Sequence, residues 1–177
     1  MRKGWGMNLI DDRNEGERNK DAELKFRLCK ERGIIAIGWG VSSIVNSWQE
    51  YLEVANNTWR ANKNFVAATN ALKEMACGDL VWIKNPVSDD AYIAEIVDKS
   101  ADPSIYSNLM EFDICAYRKC RYLFVDTIHL TGSLCKKNLK TRRAIEQMSE
   151  FIRQETIDAT LEVYEKLKEV QSYEANK

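Results

Sequence analysis

The residues of this chain best suited to chemistry are one histidine, five cysteines and a tryptophan set between two glycines. His129 lies in Asp126-Thr127-Ile128-His129-Leu130-Thr131-Gly132-Ser133, which contains the three residue types of a hydrolytic triad. A triad brings acid, base and nucleophile together at hydrogen-bond distance, and one short continuous segment does not normally reach that geometry. Cys115, Cys120 and Cys135, taken with His129, lack the Cys-x-x-Cys spacing of a zinc site. Glu95 and Lys99 lack the Glu-x-Lys spacing of a common nuclease core, and Asp11, Asp12 and Glu15 read as a solvated loop. No phosphate-binding Gly-rich loop, HExxH or Gly-x-Ser-x-Gly motif occurs. The expectation is a protein with no catalytic set, no metal and no cofactor.

Trp39 stands between Gly38 and Gly40 at the end of an apolar run. Glycines there let a second backbone or a flat ligand come close. Trp39 is therefore either a large core residue or a platform on which a planar group stacks. Trp82, in Leu80-Val81-Trp82-Ile83-Lys84, reads first as part of a sheet and second as a further wall. Arg118, Lys119 and Arg121, then Lys136, Lys137, Lys140, Arg142 and Arg143, gather in the C-terminal third. They form either a phosphate-contacting face or a balanced solvated surface.

These residues need elements to hold them. Trp5 to Ile10 reads as a strand, followed by a polar loop over 11–19. A short helix around Ala22 to Cys29 is closed by Gly33, and Ile34-Ile35-Ala36-Ile37-Gly38-Trp39 is a buried strand. Ser47 and Glu50 have capping-box spacing and open a helix carrying Trp48, Tyr51, Leu52 and Ala55. A second helix starts near Asn64, with Phe65, Ala68, Leu72 and Met75 on one face, and Gly78 stops it. Leu80–Ile83 and Tyr92–Val97 are strands joined by a turn, and a loop with Pro103 and Tyr106 follows. Phe112 to Val125 is β-prone, and its change of character at Arg118-Lys119 suggests a bulge or a strand change. Thr141 reads as the cap of a helix from Arg142, and the chain from Phe151 onward reads as helical.

This order lacks regular βαβ alternation, and Gly38-Trp39-Gly40 lacks the third glycine of a dinucleotide fingerprint. An α+β fold fits, with a small curved β-barrel flanked by helices over 1–135 and a C-terminal helical extension over 136–177. With 177 residues and 45% hydrophobic content the chain can bury a sizeable core. The net charge of -1 provides no general grip on nucleic acid, so any such site is a local patch. No run approaches the roughly 18 apolar residues needed to span a membrane. The N-terminus lacks an apolar signal core, and an odd number of cysteines favours reduced thiols; a cytoplasmic location is expected.

Trp5-Gly6-Met7-Asn8, the run Gly33 to Trp39, the helix with Asn70-Ala71-Leu72 and Met75, and Gly78-Asp79-Leu80-Val81-Trp82-Ile83 followed by Ala94-Glu95-Ile96 form one succession. It resembles EVE and YTH domains of the PUA-like superfamily, in particular the EVE-like modules fused to bacterial modification-dependent restriction proteins. The resemblance runs from about Arg2 to Ser133. It implies a cleft that takes a flipped or unpaired modified base, methylated adenine or modified cytosine in DNA or RNA, between aromatic faces. Trp39 matches the tryptophan ending the family's second strand, and Asn8 the polar residue ending its first. The loop that supplies a second wall in YTH domains here holds Tyr106 in place of a tryptophan.

The expected base-binding set is thus Trp39, Asn8, Tyr106, Trp82, Gly38 and Gly40, with phosphate contacts from Arg118, Lys119, Lys136, Lys137 and Lys140. The restriction-linked relatives imply a role in defence against foreign DNA. The alternative is a protein–protein module whose C-terminal helix, with Ile157, Leu161 and Tyr164, docks on a partner or a second copy.

Overall fold

The computed structural model describes residues 3–7, 15–84, 91–103, 107–110, 112–125 and 145–147, together with 162, 165, 166 and 169. Asn8, Tyr106, His129, Cys135, Lys136, Lys137 and Lys140 lie outside the described residues, as does most of the expected C-terminal helix.

The chain begins with β1 (Gly4–Met7), α1 (Glu15–Arg32), β2 (Ile34–Ile37), α2 (Trp48–Trp59) and α3 (Lys63–Glu74). β3 (Leu80–Lys84), β4 (Ala91–Ile96), the two-residue β5 (Asp102–Pro103) and the short α4 (Ser107–Met110) come next. β6 (Ala116–Val125) and β7 (Ile145–Gln147) complete the described strands. The fold is α+β, with one mixed sheet ordered β2-β6-β4-β3-β1-β7 and β5 beside β6. β1 and β3 run parallel, as the long crossover through α1, β2, α2 and α3 allows, and the other pairs are antiparallel.

Three expectations need correction. The sheet is open among the described residues: β2 and β7 are its two edges, with no pairing between them, so the strands do not close into a barrel. α1 already starts at Glu15, because the polar run Glu15-Gly16-Glu17-Arg18-Asn19-Lys20 is mostly good helix formers and reads as a loop only by its charge. Residues 145–147 pair with β1 where a helix from Arg142 was expected, so the chain beyond 135 supplies an edge strand to the sheet.

Local chemistry explains most boundaries. Ser47 Oγ accepts from the Glu50 N–H at 3.2 Å, while the Glu50 carboxylate accepts from Asn46 N–H at 2.8 Å, a capping box displaced by one residue. Asn62 caps α3 by accepting from Asn64 and Phe65 N–H. Gly33 takes a left-handed φ of 62°, which turns α1 directly into β2.

The main core lies where α2, α3 and Phe26 of α1 meet one sheet face. Tyr51, Ala55, Phe65, Ala68 and Leu72 pack there against Val81, Ile83, Ala94 and Ile96. Phe26, Tyr92 and Tyr122 form an aromatic trio with centroids 5.0–6.4 Å apart. A smaller cluster of Cys29, Ile34, Ala36, Leu109 and Ile114 fills the other side of β2.

Two buried ionic groups tie the elements together. Asp79, 1% exposed, accepts from Lys3 N–H, the Trp5 indole N–H and Ala76 N–H, which joins β1 to the chain leaving α3. Arg118, in β6, is fully buried. Its guanidinium donates to the Asp98 carboxylate at 2.6 Å and backbone carbonyl at 3.0 Å, and to the carbonyls of Leu72 and Met75 at 2.7 and 2.6 Å. The last two are among the carbonyls a helix C-terminus leaves without intrahelical partners. Asp98 also accepts from Lys119 N–H at 2.6 Å. The change of character at Arg118-Lys119 marks the place where β6 exchanges β5 for β4 as its neighbour.

Candidate functional site

β2 ends at Ile37, and Gly38, Trp39 and Gly40 follow it as an irregular segment. Trp39 has φ 69°, a left-handed backbone that a bulky L-residue rarely adopts. Such a conformation costs about 1–3 kcal/mol and persists only where its surroundings over-determine it.

They do so here. The Tyr51 hydroxyl of α2 lies 3.0 Å from the Trp39 carbonyl and 3.3 Å from that of Gly38, within reach of donating to either. The Trp59 indole N–H donates to the Gly40 carbonyl at 3.0 Å, and Cys115 N–H to the Ile37 carbonyl at 2.9 Å. The Trp39 ring is half-buried and meets Phe65 of α3 edge-on, with centroids 5.9 Å apart.

Gly38 answers the question raised by its position. A Cβ built on it would stand 2.0 and 2.2 Å from the two carboxylate oxygens of Asp113, so the carboxylate occupies the place of a side chain. Asp113 itself has φ 57°, a conformation aspartate tolerates better than most residues. Its Oδ2 accepts from the Lys25 ammonium at 3.0 Å. The Lys25 side chain is 10% exposed and that of Asp113 is 35% exposed, so the pair runs from the interior of α1 to the surface of the turn. Oδ1 has no partner among the described residues. At Gly40 an added Cβ would make ordinary contacts, 3.6 Å to Cys115 Sγ and 3.9 Å to Met110 Cε.

The nearby titratable groups are not poised for catalysis. Burial, reinforced by the charge of Asp113 and opposed by Lys25, pushes the Cys115 thiol up to about 12. Burial, with Cys115 and Asp113 adding to it, raises Tyr51 above its ordinary value. Near neutral pH Tyr51 is thus a hydrogen-bond donor that fixes the turn, and Cys115 is a protonated packing residue, since the thiolate is the nucleophilic form. Cys29 is likewise pushed up to about 12 by burial, with Lys25 opposing. Among the described residues no three His, Cys, Asp or Glu side chains gather as metal ligands.

Only part of the expected base-binding set is brought together. Gly38, Trp39 and Gly40 are consecutive in the irregular segment after β2. Trp82 does not join them: it is 3% exposed and alternates to the sheet face opposite Val81 and Ile83, with Gly6 and Ile93 beside it. Trp39 packs against the cluster that contains Val81 and Ile83, so the two indoles lie on opposite faces. Trp82 is a packing residue.

Arg118 also requires correction. Its guanidinium is wholly buried and bound within the protein, so it is not available to a phosphate. Lys119 and Arg121 are exposed, although Arg121 already pairs with Glu95. Lys119 sits opposite Ile34, at the end of β2 remote from Trp39.

Asp113, Lys25 and Tyr51 were not singled out as site residues from sequence. Gly38 carried the usable signal, because a glycine at a strand end asks what comes close. The partner's identity needs the tertiary fold, since Asp113 is far away in sequence. Comparison with protein-family models, curated proteins and solved structures found no match to this chain. Among the described residues no helix is long and apolar enough to cross a membrane.

Proposed function

We propose that this protein is a non-enzymatic reader of a modified base in DNA or RNA, with the Trp39 indole as its stacking surface. The observation that carries the reading is the left-handed backbone of Trp39, held by Tyr51 and Trp59 while the residue stays partly exposed. A glycine would remove the strain, so a large aromatic kept there at a cost points to use of its face. Stacking a base on an aromatic side chain contributes about 1–3 kcal/mol and tolerates different bases. Extracting a base from a duplex costs a few kcal/mol, which favours unpaired targets.

In this reading the mixed sheet is of PUA-like kind, with Asn8 on the base edge and Tyr106 as a second wall. Lys119, with Lys136, Lys137 and Lys140, contacts phosphates, and the role is defence against foreign DNA. Titration of single-stranded oligonucleotides bearing N6-methyladenine, 5-methylcytosine or 5-hydroxymethylcytosine, against unmodified controls, tests it. Tighter binding to at least one modified strand is expected. Trp39→Ala should weaken that binding by roughly 5- to 150-fold, the equivalent of one lost stack. Equally negligible binding to every strand rules the reading out.

A further inference from the structure

We propose that Asp113 is the specificity-determining residue of the Trp39 site, accepting a hydrogen bond from the exocyclic amino group of a cytosine or adenine derivative. This rests on the base-reading function proposed above and deepens it by naming the base edge that is recognised. Four observations converge on the assignment. The Asp113 carboxylate fills the side-chain position of Gly38, next to Trp39 in the chain. Both Asp113 and Trp39 have left-handed backbones, and they are the two non-glycine residues with positive φ among those described. The buried Lys25 ammonium engages Oδ2 and so orients the group. Oδ1 lacks a partner among the described residues, in a side chain that is 35% exposed.

The chemistry follows from what a carboxylate can do. A carboxylate is an acceptor only, so it suits the N4 amino group of cytosine or the N6 amino group of adenine and opposes a carbonyl at the same place. A cavity that merely fits a methyl group cannot make this distinction. Thymine and 5-methylcytosine share size and methyl group but differ in carbonyl against amino. N6-methyladenine keeps one N–H, which N6,N6-dimethyladenine has replaced with a second methyl, so only the pyrimidine pair is matched in size.

The test measures binding of the full chain to short single strands carrying each of these four bases at one position. Wild-type protein should prefer the member with the N–H, in whichever pair it binds, by roughly tenfold or more, as expected for one good base-edge contact. The double variant Lys25→Met/Asp113→Ala removes the acceptor without leaving the buried ammonium unpaired. It should bring the two members of that pair to within about threefold while Trp39 stacking persists. Binding by wild-type protein without discrimination within either pair overturns the role of Asp113 and leaves the base reader standing. No binding to any strand overturns both. A wild-type protein that does not discriminate overturns the assignment even if the double variant does not fold, and discrimination that persists in the double variant overturns it too.

Discussion

Asp113 and Arg118 lie five positions apart in one segment, and the protein treats their charges in opposite ways. Arg118 is fully buried and donates four hydrogen bonds, to Asp98 and to the end of α3. Asp113 uses one oxygen on Lys25 and has the other without a partner among the described residues, in a carboxylate against Gly38, the neighbour of a strained and partly exposed tryptophan. A charge whose donors are nearly all bonded inside the fold belongs to the architecture. One left half-used where backbone strain is concentrated is available to a ligand. Sign and position in the sequence do not separate the two cases; only the count of satisfied groups does.

The largest expected effect breaks the architectural member of the pair. Arg118→Met should cost about 3–5 kcal/mol, because it strands the Asp98 carboxylate and leaves the Leu72 and Met75 carbonyls unsatisfied. Arg118→Lys should recover little of this, since one ammonium cannot span the same acceptors as a planar guanidinium. The neighbouring Lys119→Met, at an exposed position, should stay within about 0.5 kcal/mol. Urea unfolding of the three variants checks this. Similar small losses for Arg118→Met and Lys119→Met would mean that the buried network is not what holds β6 to α3.

Much of the fold was legible in the sequence, for reasons specific to each element. Ser47 and Glu50 announce α2 through capping chemistry, and Gly33 announces the turn into β2 because φ is positive there. The strands around Trp82 and Ile93 show in their β-branched and aromatic content. What stayed hidden depends on distant partners. Arg118 looks like its exposed neighbour Lys119 until Asp98 and the end of α3 are placed around it. Nothing local to Trp82 says which face it takes relative to Trp39. The site was half legible: Trp39 and its glycines stand out, whereas Asp113 and Lys25 are joined only by the packing of α1 beside the turn.

An intermediate effect probes the functional member directly. In Gly38→Ala the new methyl would overlap the Asp113 carboxylate, so Asp113 must swing away and leave Lys25 buried without its partner. The expected loss is about 1–3 kcal/mol, kept below that of a fully buried pair because Asp113 is partly solvated. Gly40→Ala should be nearly neutral, since its methyl meets only ordinary contacts. The coupling is the sharper measurement. In a Lys25→Met/Asp113→Ala background Gly38→Ala should cost markedly less, giving an interaction free energy of about 1 kcal/mol or more. Additive losses would show that the glycine serves some purpose other than admitting the carboxylate.

The residue that matters most for binding should lose less stability on substitution than a fully buried tryptophan. Trp39→Gly relieves a left-handed backbone worth about 1–2 kcal/mol. Against that it loses the edge contact with Phe65 and part of the ring's burial, and it makes the unfolded chain more flexible by about 0.5–1 kcal/mol. The relieved strain offsets only part of these losses, so thermal or urea unfolding should show the variant less stable by about 1–3 kcal/mol. Trp5→Ala supplies the contrast. That indole is 2% exposed and donates to the buried Asp79 carboxylate at 3.0 Å, and its loss should cost about 3–5 kcal/mol. If Trp39→Gly proves as damaging as Trp5→Ala, Trp39 is an architectural residue like Arg118. The strained turn would then lose its claim to be a binding site. If the loss stays well below that of Trp5→Ala while binding to a modified strand disappears, the strain at Trp39 is maintained for the ligand, and the division between architectural and ligand-facing groups holds.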